Sequence, residues 1–173
     1  MRQRRPYKLP EPLQCSADKP VTMTLVEDYI RQHEERFPRY LYLENLYKGF
    51  HDVYKQPEKP DWKPDNRLAV NFPRYITDTF LGFGYGVPIK KSHPDETIAQ
   101  AINNFERENE ITDHEYELAR KCCIYGHAFE YLYQDEEAKT KMTICTPMEL
   151  FVVYDDTVKN RALFAVRYGY HST

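Results

Sequence analysis

The sequence has no long uncharged run. The longest extends over eleven residues, from Thr79 to Ile89, and three glycines and a proline interrupt its part from Phe80 to Ile89. A membrane-spanning helix needs about 20 apolar residues, and the N-terminus lacks the apolar stretch of a signal peptide. The four cysteines show no disulfide-framework spacing, which favours a reducing, intracellular environment. We therefore expect a soluble cytoplasmic protein without membrane contact.

The sequence also lacks an excess of positive charge. It has 24 Lys and Arg against 27 Asp and Glu, a net charge of -3, which gives no overall attraction to nucleic acid. The distribution is uneven, because residues 106–117 hold six acids against one arginine. The first eight residues hold basic side chains and no acid: Arg2, Arg4, Arg5 and Lys8. We expect a solvated tail there; contact with phosphate or another subunit, as in a nucleic-acid-binding module, stays open.

Aromatic side chains are abundant, with 15 Tyr and 9 Phe among the 173 residues. This length fits one domain. Tyrosine combines an apolar ring with a polar tip, which suits surfaces that pack against partners as well as cores. Tyr40, Tyr42 and Tyr47 could stack on bases, but core or subunit contacts are favoured because few basic residues lie among them.

Hydrophobic periodicity predicts five helices. Capping boxes predict two helix starts, Thr24 with Glu27 and Thr112 with Glu115. His33 lies on the apolar stripe of the first helix, a position typical of a core histidine. The second helix should extend from Arg39 to Lys48, with Gly49 as its stop, and the fourth from Asp95 to Asn109. The third should begin after a cap at Asn71 or Phe72, with Pro73 in its first turn and with Ile76 and Phe80 on one face. Gly126 should end the fifth helix in the left-handed conformation.

The remainder predicts strands. We expect a short strand at residues 87–91 and four strands near the C-terminus: His127 to Tyr133, Lys141 to Cys145, Leu150 to Tyr154, and Ala162 to Tyr168. Short acidic loops join them. Helices followed by an antiparallel β meander predict the α+β class, with an extended arm at residues 1–21 and one domain at residues 22–173. Residues 55–66, which contain three prolines, should form an exposed loop.

Two adjacent cysteines precede a histidine in "KCCIYGH", residues 121–127. Cys122 and Cys123 diverge by about 100° on a helix, so they do not form a pair of metal ligands on one face. Only His114 and Cys145 could join them and His127, without motif spacing. The stretch is therefore interpreted as a helix–turn–strand junction, and the chain offers no metal, cofactor or catalytic set of strong motif quality.

Two enzyme-like patterns are weak. "GFGYGVPIKK", residues 82–91, resembles a phosphate loop, but it follows a helix, whereas a phosphate loop leads into one. Its glycines should end the helix. Asp95, Glu137 and Lys139 can be arranged as the PD…ExK pattern of metal-dependent nucleases. Asp95 suits a helix start, and Glu137 and the pair Asp155 and Asp156 suit turns, so this nuclease remains the alternative function.

Four ordered segments resemble one family. They are "YLYLENLYKGFHDV", "NRLAVNFPRYITDTFLGFGYGVPIK", "ELARKCCIYGHAFEYLYQDEE" and "CTPMELFVVYDDTVKNRALFAVRY". Together, over residues 24–170, they resemble the N-terminal region of tailed-bacteriophage portal proteins, in the branch of siphophages and prophages of Gram-positive bacteria.

The resemblance implies a non-enzymatic structural protein of the virion. Portals form a ring, usually a dodecamer, at one capsid vertex after assembly in the host cytoplasm, and DNA is packaged and ejected through the channel. Coat and scaffold proteins, the terminase and head completion proteins are the implied partners. The resemblance covers only the outer wing, without stem, clip and crown, so we expect a partial wing domain, from a piece of a longer subunit or a truncated prophage gene.

Overall fold

The computed structural model describes residues 11–169, and the predicted basic tail lies outside these residues. The described residues contain five α-helices and five strands, which confirms the α+β class. They divide into two compact units, residues 11–38 with residues 148–169, and residues 39–147. We call these unit 1 and unit 2. The assignment of residues 1–21 to an arm and of residues 22–173 to one domain stays a prediction.

The elements follow in chain order, and the helices lie between the first and second strands. Their bounds are β1 Leu13–Cys15, α1 Met23–Glu34, α2 Phe37–Lys48, α3 Phe72–Tyr85, α4 Glu96–Glu108, α5 Ile111–Tyr125, β2 Phe129–Gln134, β3 Thr140–Cys145, β4 Leu150–Asp155 and β5 Ala162–Arg167. A short 3₁₀ helix occupies Asp52–Lys55. The loop that follows it is exposed, as predicted.

Unit 1 packs α1 on a three-stranded sheet of order β1-β4-β5. β1 is parallel to β4, and β5 is antiparallel to it. The core contains apolar side chains from β1, α1 and β4: Leu13, Cys15, Tyr29, Phe151 and Val153. Burying a Leu, Phe or Val side chain supplies about 1.5–3 kcal/mol, so this cluster stabilises unit 1.

His33 is a core histidine, as predicted. Its side chain is 1% exposed, and its ring lies 4.7 Å from the Phe151 ring. Nδ1 lies 2.8 Å from the Tyr168 hydroxyl. A buried polar ring is tolerated when its nitrogens have hydrogen-bond partners, and this contact supplies one.

Unit 2 packs α5 against α3, α4 and β3. Tyr40 of α2 is buried, with its ring 6.1 Å from Tyr125 and 5.7 Å from His127. The Tyr47 hydroxyl donates to Asp78 at 2.8 Å and ties α2 to α3. Burial and the Asp78 carboxylate raise the pKa of Tyr47. These tyrosines therefore serve as packing residues.

The predicted single meander is wrong, because the strands form two separate sheets. Among the strands described within residues 11–169, β2 pairs only with β3, and β4 pairs with β5 and β1. In a meander, β3 would pair with β4, but β1 occupies that edge of β4. The four-residue link between β3 and β4 contains Pro147, whose missing N–H makes a tight paired turn less favourable.

Both predicted capping boxes are also wrong. Thr22, two residues before the predicted cap Thr24, accepts the Leu25 N–H at 3.3 Å and starts α1. α5 begins at Ile111 after Glu110, which has a positive φ of 48° and no side-chain cap. Because only Asn109 and Glu110 link α4 to α5, the helix has already begun when the chain reaches Thr112.

Other helix ends follow their predicted chemistry. Asn71 caps α3 by accepting the Arg74 N–H, with Pro73 in the first turn. Gly49 and Gly126 have φ of 90° and 88°, the left-handed conformation that favours glycine after a helix. The predicted strand at residues 87–91 is absent, because Pro88 interrupts this exposed segment and no strand pairs with it.

Candidate interaction surface

Helix α3 exposes an apolar stripe. With about 100° per residue, Phe72, Ile76, Phe80 and Phe83 lie on one side of the helix, and Leu81 lies on the other. Leu81 is fully buried, whereas each member of the stripe is at least 60% exposed and Phe83 reaches 94%. Ile76 and Phe80 thus share one face, as predicted, and this face is the one turned away from the core.

The apolar stripe carries no charge. The charged side chains of α3, Arg74 and Asp78, pair with each other at 3.3 Å, and Asp78 also accepts the Tyr47 hydroxyl. Tyr75 and Thr79 border the stripe. A neutral aromatic face suits a protein partner, since nucleic acid is held largely through contacts from basic and polar groups to phosphate.

A groove of about 400 Å³ opens beside the stripe, between the C-terminal half of α3, helix α5 and strand β2. Phe80 and Ile89 line one side. Leu118 and Ala119 of α5 form an apolar floor, and Glu130 of β2 lies at the rim. Pockets of this volume, mostly apolar with a few polar groups, are typical of binding sites for a side chain or small ligand.

Two residues that line this groove, Glu115 and Glu130, take part in ion pairs. Lys91 Nζ lies 2.9 Å from carboxylate oxygens of both Glu106 and Glu115, which raises the pKa of Lys91. His114 Nε2 lies 3.1 Å from Glu130 Oε1. The charged side chains that line the groove itself, Glu115 and Glu130, are both acidic.

The two adjacent cysteines lie in this groove. Cys122 and Cys123 are free thiols, and both line the groove wall. Burial, and to a smaller extent Cys122, raises the pKa of Cys123, which disfavours the reactive thiolate at neutral pH. Cys122 and Cys123 lie in the last turn of α5, which ends at Tyr125, and Gly126 leads the chain toward β2, so the helix–turn–strand interpretation is confirmed.

The other residues of the possible metal site are used in packing. The His127 ring packs 5.5 Å from Phe129, His114 pairs with Glu130, and Cys145 is buried in β3. Among residues 11–169, no group of three or more His, Cys, Asp or Glu side chains is arranged to hold a metal ion.

The residues of the nuclease pattern have separate structural roles. Asp95 caps α4 by accepting the N–H groups of Thr97 at 2.8 Å and Ile98 at 3.3 Å. Glu137 and Lys139 pair at 2.8 Å in the turn between β2 and β3, rather than on neighbouring strands. Asp155 organises the turn after β4.

The glycine-rich stretch is a helix end, but the prediction for its glycines is only partly right. Gly86 follows the last residue of α3, whereas Gly82 and Gly84 lie inside the helix. A phosphate loop would precede a helix N-terminus, and here the chain leaves a C-terminus.

The exposed stripe itself was not predicted. Its signal in the sequence was present, because α3 carries large apolar residues on opposite sides, with Leu81 facing away from Phe83. A helix that is apolar on several sides has more surface than one neighbouring helix covers. The surplus indicates a second packing partner.

None of the helices described within residues 11–169 has the length and apolar character needed to cross a bilayer.

A portal protein of Bacillus phage SPP1 is 23% identical over 126 residues, which are 73% of this chain and 25% of that protein. The chain thus spans about a quarter of the relative's length. The sequence model of the family described as "Phage portal protein, SPP1 Gp6-like" matches residues 26–172. The chain belongs to this phage portal protein family.

Proposed function

We propose that this chain is a structural part of a phage portal, the ring at one capsid vertex through which DNA enters and leaves the head. Membership of the portal family over residues 26–172 is the observation that carries the proposal. The ordered resemblance to the wing region supports a position in the outer part of the ring. Its work is to hold neighbours in place, without catalytic residues, cofactor or metal.

The exposed surface of unit 2 supports this role. An uncharged aromatic stripe on α3 beside an apolar groove is the composition of a protein–protein contact, in which Phe and Tyr are enriched and charges are depleted from the centre. The partners we propose are further copies of the chain, coat protein and scaffold protein. Terminase and head completion proteins would bind the stem, clip and crown, which the wing resemblance does not include.

Electron microscopy of the purified product of the complete reading frame tests the proposal. We expect ring-shaped particles with a central channel. Uniform small particles at every protein concentration would contradict it. A cleavage assay with Mg²⁺ examines the alternative nuclease: we expect no cleavage by the protein, while cleavage that is lost on Asp95→Ala would overturn the structural role.

A further inference from the structure

A tight turn in unit 2 presents the single tryptophan of the sequence. The Lys63 N–H donates to the Pro60 carbonyl at 2.8 Å, which places Asp61 and Trp62 at the corner of the turn. Trp62 is 82% exposed. An indole ring buries a large area when it docks, and exposed tryptophans of this kind are over-represented among the residues that dominate binding energy.

Polar contacts hold the base of this turn. The Arg67 side chain donates to the Asp65 carboxylate and, at 2.7 Å, to the Gln56 carbonyl. Lys59 lies 3.4 Å from Asp65. Because the segment is bonded to itself, Trp62 is presented on a preorganised support, which lowers the entropy cost of docking.

The groove between α3, α5 and β2 matches this turn in chemistry. Its floor at Leu118 and Ala119 is apolar, and its volume of about 400 Å³ accommodates an indole ring. The charged residues of its lining, Glu115 and Glu130, are acidic, whereas Lys63, next to Trp62, forms no ion pair within residues 11–169. Opposite charges around an apolar anchor fix both register and partner choice.

We infer that the turn at residues 60–63 binds, through Trp62, in the α3–α5 groove of a second copy of this chain. The inference rests on the proposed function, since it names the self-contact of the ring. Because the turn and the groove are different surfaces, one copy can donate its turn to the next, and such a head-to-tail contact generates a ring when its rotation closes.

Cross-linking through the cysteines already in the groove tests the inference. Asp61→Cys keeps Trp62 and Lys63 and places a thiol beside the anchor. With a short bis-maleimide at mildly alkaline pH, which offsets the raised pKa of Cys123, we expect a ladder of dimers, trimers and larger products. Replacing Cys122 and Cys123 by Ser in this variant should remove the ladder. The matched control carries Val158→Cys in place of Asp61→Cys, at a fully exposed position of unit 1. It should give no ladder under the same conditions.

A second measurement separates this inference from the proposed function. In the otherwise unmodified chain, Trp62→Ala should weaken self-association, measured by light scattering, about 30-fold, as for loss of a buried aromatic anchor. Normal oligomers without a groove-dependent ladder, or unchanged association of the Trp62→Ala variant, would overturn the inference and leave the portal role intact. A wild-type chain that stays monomeric at all concentrations would overturn self-association altogether.

Discussion

Helices α1 and α3 have similar lengths, 12 and 14 residues, and use their aromatic side chains in opposite ways. In α1, Tyr29 and His33 are buried against the sheet of unit 1. In α3, Phe72, Phe80 and Phe83 are exposed, and Leu81 is the residue that packs inward. Aromatic content alone therefore does not distinguish a core helix from a helix that offers a contact surface.

The two helices differ in the polar contacts that accompany their rings. The Tyr29 hydroxyl donates to the Gln14 carbonyl at 2.6 Å, and burial, with a smaller effect of Cys15, raises the pKa of Tyr29 to about 12. His33 contacts the Tyr168 hydroxyl. Buried rings with polar atoms need such partners, whereas the phenylalanines of α3 have no polar atom. The rings of α1 serve the fold, and those of α3 are available to a partner.

The largest expected effect separates a buried from an exposed phenylalanine. Phe151 of β4 is 3% exposed and contacts His33, whereas Phe83 is 94% exposed. Phe151→Ala should lower the free energy of unfolding by about 3–5 kcal/mol, and Phe83→Ala should change it by less than about 0.5 kcal/mol. Urea unfolding followed by circular dichroism measures both.

Equal losses of unfolding free energy in Phe151→Ala and Phe83→Ala would contradict the comparison, because Phe83 would then be part of a core. A Phe83→Ala variant with unchanged stability but weaker self-association would support the contrast between the two helices. The stripe would then contribute to assembly and not to folding of the single chain.

Sequence reasoning succeeded where the determining chemistry is local. A glycine at Gly126 ends α5 because the left-handed conformation has little steric cost there, and Asn71 with Pro73 starts α3 through one side-chain oxygen and one fixed φ. His33 was assigned to the core from helical spacing alone. Each of these depends on a few consecutive residues and on general stereochemistry.

Sequence reasoning failed where the partner is distant along the chain. β1 has only three residues, too few for a periodic signal, and its pairing with β4 joins Leu13 to Val153. Local prediction also failed at the start of α1, because the choice between Thr22 and Thr24 depended on which oxygen meets the first free N–H. For the candidate surface, periodicity identified the face of α3 that holds Ile76 and Phe80 but not the side on which α5 packs.

A smaller effect concerns acid stability within unit 1. Burial raises the pKa of Asp155, but hydrogen bonds from the Thr157 hydroxyl and the Arg161 N–H act the other way and leave the pKa below its usual value. A lowered folded-state pKa stabilises the protein above about pH 4, the unfolded value, and this contribution disappears as the pH falls through the folded value.

Asp155→Asn should therefore lower the melting temperature at pH 7, and its difference from the wild type should shrink on acidification to pH 3. Asp156→Asn, at the adjacent exposed position, is the control and should change little. Thermal unfolding followed by circular dichroism across this range measures the difference. A constant gap between Asp155→Asn and the wild type at all pH values would contradict the assignment, since the loss would then not depend on ionisation.

The smallest expected effect compares two glycines with open space around them. A methyl group at Gly84, inside α3, or at Gly126, after α5, would meet no atom within 4 Å. Gly126 has φ of 88°, so Gly126→Ala should destabilise by about 1 kcal/mol through backbone strain. Gly84 is helical, so Gly84→Ala should stabilise by about 0.5–1 kcal/mol, because the unfolded chain loses freedom. Urea unfolding measures the change in unfolding free energy for both variants and therefore its sign. A destabilising Gly84→Ala would mean that a neighbour already fills the space beside α3, and the exposed character of this helix in the single chain would have to be abandoned.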